Sequence, residues 1–473
     1  MKITRGISLL KSFWATNMGI SIIQKSDLSK KIENPKVALV LAGGAMSGAA
    51  FKIGGLKALN DYLVNKKLTD FDMYVGLSAG AILAVPICGG ISPEEMLASL
   101  DGKSTKFSQI SPFELYSPNY KEFIFNPLKF FYGYFSYLPG MLYDVLRATP
   151  SLRKDFFTNA LAYLQHPDYS HYERLTKPIL KIAVSNRSIP SLGELLPSGI
   201  FDNSPIGVFL RKNMQHNKMP NNFRVLKRML GKSLYITAMD LDTSDRVVFG
   251  PDEKNDVSIT DAVEASSAIP GFYKPARIKG VDYIDGGVRR TVNIDIAFQK
   301  GADLVICYNP FRPYRNEIFL EYLREDNKYI TKNKRLAEMG VGRVLNQVFR
   351  TLFHSRLQNS LEYLAKDPTF TKDIIIIEPD EKDDDFFTLN PLFFWNRAKA
   401  AKLGFDSVTE SINTHYDKIA LILEHYGIKM TKDVIQNDIT RINQSQFDDQ
   451  IIMEVLEKRS ERKTLKVLRG GKN

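Results

Sequence analysis

Gly76-Leu77-Ser78-Ala79-Gly80 has the G-x-S-x-G spacing of a nucleophile elbow, in which a strained strand-to-helix turn lifts a serine hydroxyl above a sheet edge. Small residues at Gly76, Ala79 and Gly80 let strand and helix approach closely, and the helix N-terminus would turn its positive end toward the serine. An acyl-transfer serine also needs amides for the oxyanion, each worth about 3 to 4 kcal/mol when preorganised. The turn Ala42-Gly43-Gly44-Ala45 can supply them, because glycine-rich backbone can aim successive N–H groups into one small concavity. A phosphate-binding turn is the competing reading, and it fails. Ala49 and Ala50 stand where a P-loop needs Lys and Ser or Thr, and Ala45 occupies the second glycine of the dinucleotide fingerprint.

The serine proton needs an acceptor. Six histidines (His166, His171, His216, His354, His415 and His425) lie away from these motifs, and a Ser-His-Asp triad stays open because its members meet only in space. Asp285, in Tyr283-Ile284-Asp285-Gly286-Gly287, is the stronger candidate. It is expected at the C-terminal end of a strand, where ligands meet open α/β sheets, and Gly286 and Gly287 leave room for it to approach the serine. Reference pKa values of about 3.9 and 6.5 make Asp a weaker base than His by roughly 3.5 kcal/mol, unless its site raises the value.

These residues need a scaffold, and the surrounding pattern describes one. Residues 36–41 form a short aliphatic run ending in glycines, which predicts a buried parallel strand. Residues 49–64 place Ile53, Leu56, Leu59 and Leu63 at helical spacing. A second strand over 71–75 and a helix over 79–87 come next, and the alternation resumes with strands at 233–238, 281–284, 302–308 and 373–377. Strand, helix, strand, helix predicts a parallel α/β sheet.

The chain has 473 residues, 44 % hydrophobic and 25 % charged, which excludes a mainly disordered or collagenous protein. Cys88 and Cys307 both lie in apolar stretches and read as buried thiols, which fits a reducing compartment. The net charge of +11 biases the protein toward anionic partners. No apolar run is long enough to span a bilayer. The apolar run at 12–23 behind Lys2, Arg5 and Lys11 reads as a surface helix or disordered lead rather than a signal peptide.

Residues 107–172 are crowded with aromatics, while Pro127, Gly133, Pro139 and Gly140 argue against one long helix there. This insertion reads either as a small subdomain with its aromatics packed inward or as a lid touching lipid with Phe and Tyr. Farther on, Lys328, Lys332, Lys334, Arg335, Arg343, Arg350 and Arg356 alternate with Leu336, Val344, Leu345, Val348, Phe349 and Leu352. That pattern predicts a solvated basic face or one that meets anionic phospholipid. Residues 458–472 read as a frayed basic tail.

Taken in order, the Gly43-Gly44 loop, the elbow at Ser78 and Asp285-Gly286-Gly287 closely resemble the patatin-like phospholipase family, and residues 201–205, 238–241 and 265–271 support the match. The resemblance implies a three-layer α/β/α fold with a mainly parallel central sheet, an aromatic-rich insertion (about 105–175) and a helical basic C-terminal region. The sequence pattern divides the chain into an N-terminal extension (1–34), a patatin-like catalytic domain (35–425, with a basic helical segment at about 315–365) and a basic tail (426–473). The resemblance implies a Ser78–Asp285 dyad that hydrolyses lipid esters through an acyl-enzyme, with Gly43, Gly44 and Ala45 as the oxyanion hole and no metal or cofactor. The family's loop usually carries Arg or Lys where this chain has Ser47. The partners implied are a phospholipid or other acyl-ester lipid and an anionic membrane met peripherally, in a cytoplasmic or membrane-surface location. An acyltransferase using the same dyad and a membrane-binding protein with a degenerate site are the alternatives.

Overall fold

Val37-Ala-Leu-Val-Leu41 is buried at every position, as a strand covered on both faces must be. The computed structural model describes residues 19–30, 32–44, 46–185, 191–318, 320–323, 328–331, 334–388, 397–444 and 448–458. Within them, β1 (Ile20–Ile23), β2 (Val37–Leu41), α1 (Met46–Tyr62), β3 (Met73–Leu77) and α2 (Ala79–Cys88) come first. The chain continues with α3 (Tyr120–Gln165), α4 (Tyr169–Ser185), β4 (Ser233–Asp240), β5 (Arg246–Phe249) and α5 (Ile259–Ser267). Next are β6 (Ala276–Ile278), β7 (Val281–Asp285), β8 (Leu304–Tyr308), α6 (Val341–Lys366), β9 (Asp373–Ile377) and α7 (Arg397–Thr414). Three helices, α8 (Tyr416–His425), α9 (Asp433–Gln444) and α10 (Asp449–Glu457), complete it.

The strands form one nine-stranded sheet in the order β1-β9-β8-β2-β3-β4-β7-β6, with β5 paired to β4. Its centre, β9-β8-β2-β3-β4, is parallel, and β1, β5, β6 and β7 are antiparallel to their neighbours. On one face, Ala38, Val40, Val305, Cys307, Ile374 and Ile376 pack against Ile294, Ile296, Leu357 and Leu361. Helices α1 and α7 pack on each other in the other layer. This is the expected α/β/α arrangement with a mostly parallel sheet.

Several expectations are corrected. Ile20–Ile23, read as the end of a surface helix or disordered lead, is an edge strand. Its β-branched residues suit the pleat, and Asp373 anchors the chain just beyond it by accepting from the Lys25 and Ser26 amides and the Ser26 hydroxyl. A tail beginning at 426 is also corrected, since α9 and α10 bury Ile435, Ile442, Ile452, Met453, Val455 and Leu456. A buried ion cluster ties α9 to α1, in which Lys57 bonds Asp61 and lies 3.2 Å from Asp438. Residues 459–473, which include all but the first residue of the stretch read as frayed, fall outside the described residues, as do 1–18.

The chain divides into two compact units, the second comprising Pro118–Asp202 and Gly271–Lys274. In that unit α3 runs unbroken for 46 residues through Pro127, Gly133, Pro139 and Gly140, contrary to the expectation of a broken segment. Each proline removes one backbone donor, but a helix this long retains the rest, and α4 folds back on it through the Tyr163–Tyr172 ring contact. Most of its described aromatics, Phe123, Phe125, Phe131, Tyr132, Phe135, Phe156 and Phe157 among them, are exposed; Phe130 and Tyr137 are buried.

The arginines of α6 also depart from expectation. Arg343 donates to the Phe387 carbonyl, Arg350 to the Pro310 and Arg312 carbonyls, and Arg356 to the Val288 carbonyl. The exposed row is apolar instead: Val341, Val344, Leu345, Val348, Phe349 and Leu352. A guanidinium has five donors that can satisfy loop carbonyls, so Arg343 and Arg350 are drawn partly inward while Arg356 stays exposed, and the helix presents its hydrophobic stripe.

Candidate active site

Strand β3 ends at Leu77, and the chain turns into α2 at Ser78, whose φ of 55° and ψ of −129° are strained for a residue with a side chain. Two glycines make the turn possible. A Cβ on Gly76 would lie 2.5 Å from the Ala81 Cα, and one on Gly80 would lie 2.2 Å from the Leu41 carbonyl oxygen. The start of α2 is therefore pressed against the end of β2, which carries the Gly43-Gly44 loop. At Gly43 the Cβ position is 3.2 Å from the Ser78 Cβ, and Gly44 has φ 136°, a conformation that favours glycine. Ala45, the third residue expected in the oxyanion hole, lies outside the described residues.

Register explains how Asp285 arrives. Leu77 pairs with Thr237 of β4, and Asp285 pairs with Ala238 on the opposite edge of that strand. The serine and the aspartate thus sit at one level on either side of a single strand. Asp285 is the last residue of its strand, as expected, but β7 runs antiparallel to β4 rather than continuing the parallel sheet. Gly286 lets the adjoining turn lie against β4, where a Cβ would be 2.8 Å from the Thr237 carbonyl oxygen. The Gly287 amide donates to Asp285 Oδ1 at 2.8 Å.

The Ser78 side chain is close enough to Asp285 to favour the ionised form of its carboxylate. Both residues are almost fully buried, at 3 % and 7 % exposure. Burial raises the Asp285 pKa to about 6, against the opposing pull of the Ser78 side chain, the Gly287 amide and the charge of Lys52. The deficit in basicity relative to histidine thereby shrinks from roughly 3.5 to under about 1 kcal/mol. Such a pair can pass the serine proton to the carboxylate and free the oxygen to attack a carbonyl.

The six histidines make their contacts elsewhere: His354 with Glu378, His415 with the Ser411 carbonyl, His216 with the Thr105 carbonyl, His171 with Asp168, His166 with His171 and His425 with Tyr426. Three residues that sequence reasoning did not single out support the site. Ser266, at the end of α5, accepts the Ser78 amide at 2.8 Å. Phe311 packs beside Gly43 and against Phe353 of α6. Lys52 of α1 is fully buried and donates to the Ala42 carbonyl at 2.8 Å. A lone cation within Ala49-Ala50-Phe51-Lys52-Ile53 was the available signal for the last of these.

A sequence model of a family described as patatin-like phospholipase matches residues 39–298. The chain is 32 % identical over 93 residues to the uncharacterized protein YjjU of Escherichia coli K12, a match that covers 19 % of this chain and only 25 % of that relative. Among solved structures, VipD from Legionella pneumophila aligns with a TM-score of 0.33 and 15 % identity, covering 84 % of this chain and 70 % of that one. ExoU of Pseudomonas aeruginosa, solved in complex with SpcU, aligns with a TM-score of 0.25 and 16 % identity, covering 90 % and 66 %.

Proposed function

Because the chain belongs to the patatin-like phospholipase family, whose membership carries lipid hydrolase chemistry in general, we propose that it is a lipid acyl hydrolase of the phospholipase A type working through Ser78 and Asp285. The observation that carries this reading is the placement of buried Ser78 and Asp285 at one level on either side of β4, with the Asp285 pKa raised to about 6 and the Gly43 loop beside Ser78. Asp285 accepts the Ser78 proton as Oγ bonds to the ester carbonyl carbon, and the carbonyl electron pair moves to oxygen. Amides of Gly43 and Gly44 receive that oxyanion, with Ala45 as the third member of the loop. Collapse of the intermediate breaks the ester bond, and Asp285 returns its proton to the departing lysolipid alcohol. Water then repeats the sequence on the acyl-enzyme and releases a fatty acid.

The lipid would be met at a membrane surface. No helix among the described residues is long and apolar enough to cross a bilayer, which fits peripheral contact. The apolar row on α6 and the exposed aromatics of α3 support such contact. With Arg343 and Arg350 of α6 partly buried against loop carbonyls, the hydrophobic stripe rather than a basic face carries the α6 part of it. The test is fatty-acid release from phospholipid vesicles by the wild-type protein, Ser78→Ala and Asp285→Asn. Release that is lost in both folded variants supports the dyad, and wild-type turnover in either one removes that residue from it.

A further inference from the structure

Lys52 is a charged side chain with no exposed surface, in the helix that succeeds the glycine loop. Its ammonium donates to the Ala42 carbonyl at 2.8 Å and lies 3.1 Å from where a Cβ on Gly44 would stand. Residue 47, in the first turn of that helix, is serine and brings no charge. Burial lowers the Lys52 pKa to about 7, with the charge of Asp285 pulling it upward. A buried ammonium costs several kcal/mol unless it is paired, so this residue needs an explanation that packing does not offer.

The neighbouring charges narrow the explanation. Acidic groups on helices packed against α1 are engaged farther along it, Glu94 with Asn60 and Asp438 with Lys57. On β8, burial raises the pKa of both Cys307 and Tyr308, which keeps them neutral. On α6, Arg350 is occupied by the Pro310 and Arg312 carbonyls. Asp285 is the charge that acts on Lys52, and Lys52 is the charge that acts on Asp285.

We propose that Lys52 is a positioning residue of the Ser78 site: its ammonium holds the Ala42–Gly44 backbone in the shape that receives the oxyanion, and supplies the positive charge that balances the reacting pair. This rests on the reading of Ser78 as nucleophile and Asp285 as base. During acylation the serine proton neutralises Asp285 while the carbonyl electron pair becomes the oxyanion. Negative charge therefore leaves the carboxylate and reappears at the loop that Lys52 holds. The working state is ionised Asp285 with protonated Lys52, so the two groups titrate as a coupled pair.

The test uses the full chain with p-nitrophenyl butyrate, a soluble ester, across pH. The wild-type kcat/KM is expected to rise through about pH 6 as Asp285 ionises and to fall above about pH 7 as Lys52 loses its proton. Lys52→Met should lower kcat about 10- to 100-fold, abolish the falling limb and move the rising limb to higher pH, because Asp285 loses the cation that favours its ionised form. Lys52→Arg, which keeps its charge, should hold the rising limb in place and lack the falling one. A Lys52→Met profile shaped like wild type overturns the proposal, whatever its height. A readout independent of turnover is the ε-13C resonance of Lys52. It should titrate near pH 7 in wild type and at lower pH in Asp285→Asn. Titration in the ordinary lysine range, or no response to Asp285→Asn, overturns the proposal even if Lys52→Met fails to fold. The dyad reading fails separately, if a fluorophosphonate leaves wild-type Ser78 unlabelled.

Discussion

At the scale of single residues, the proposed chemistry gives an aspartate work more often given to histidine. Burial is what equips it, raising Asp285 to about 6 while the Gly287 amide and Lys52 keep it ionisable. Turnover should therefore fall about tenfold per pH unit below about 6, because a protonated Asp285 cannot accept the serine proton; a pH–rate profile on a soluble ester checks this. Ser78→Ala and Asp285→Asn should each reduce fatty-acid release by about 10⁴-fold or more. Ser266→Ala leaves the buried Ser78 amide without its acceptor, an effect worth about 1 to 3 kcal/mol. Steady-state kinetics should show that loss in kcat, by about 5- to 150-fold, with KM little changed. Ser78, Asp285 and the glycines stood out in the sequence because their spacing is local. Ser266 and Lys52 did not, because their roles depend on partners that only folding brings near.

Among the elements, strand register and glycine packing assemble the site. Gly80 sits where α2 meets the end of β2, and its hydrogen occupies space that a methyl group would contest with the Leu41 carbonyl. Gly80→Ala should cost about 1 to 3 kcal/mol of stability, read as a lower melting temperature, and should reduce activity further by moving the glycine loop away from Ser78. The central parallel strands were legible as short aliphatic runs. The antiparallel course of β7 was not, since the short run Val281-Asp282-Tyr283-Ile284 carries no direction. Helix α3 was not legible, because Pro127, Gly133, Pro139 and Gly140 each disfavour a helix locally while the hydrogen-bond ladder of 46 residues sustains it. In α6 the alternation of basic and apolar residues was visible, but the partial burial of Arg350 was decided by loop carbonyls at Pro310 and Arg312 that only the fold brings to it.

For the molecule as a whole, the proposal places the chemistry on one sheet and lipid contact on the exposed hydrophobic stripe of α6. Val348→Asp with Phe349→Asp on α6 should weaken binding to phospholipid vesicles by about 100-fold or more, from the loss of two buried apolar side chains, while hydrolysis of a soluble ester continues. Sedimentation with vesicles and an ester assay separate the two effects. Labelling by a fluorophosphonate, mapped by mass spectrometry and repeated on Asp285→Asn, tests the central claim most directly. A single adduct on Ser78 is expected in the wild-type protein, with labelling slowed by orders of magnitude in Asp285→Asn. An adduct on another serine, or labelling of Ser78 at an unchanged rate without Asp285, would contradict the dyad.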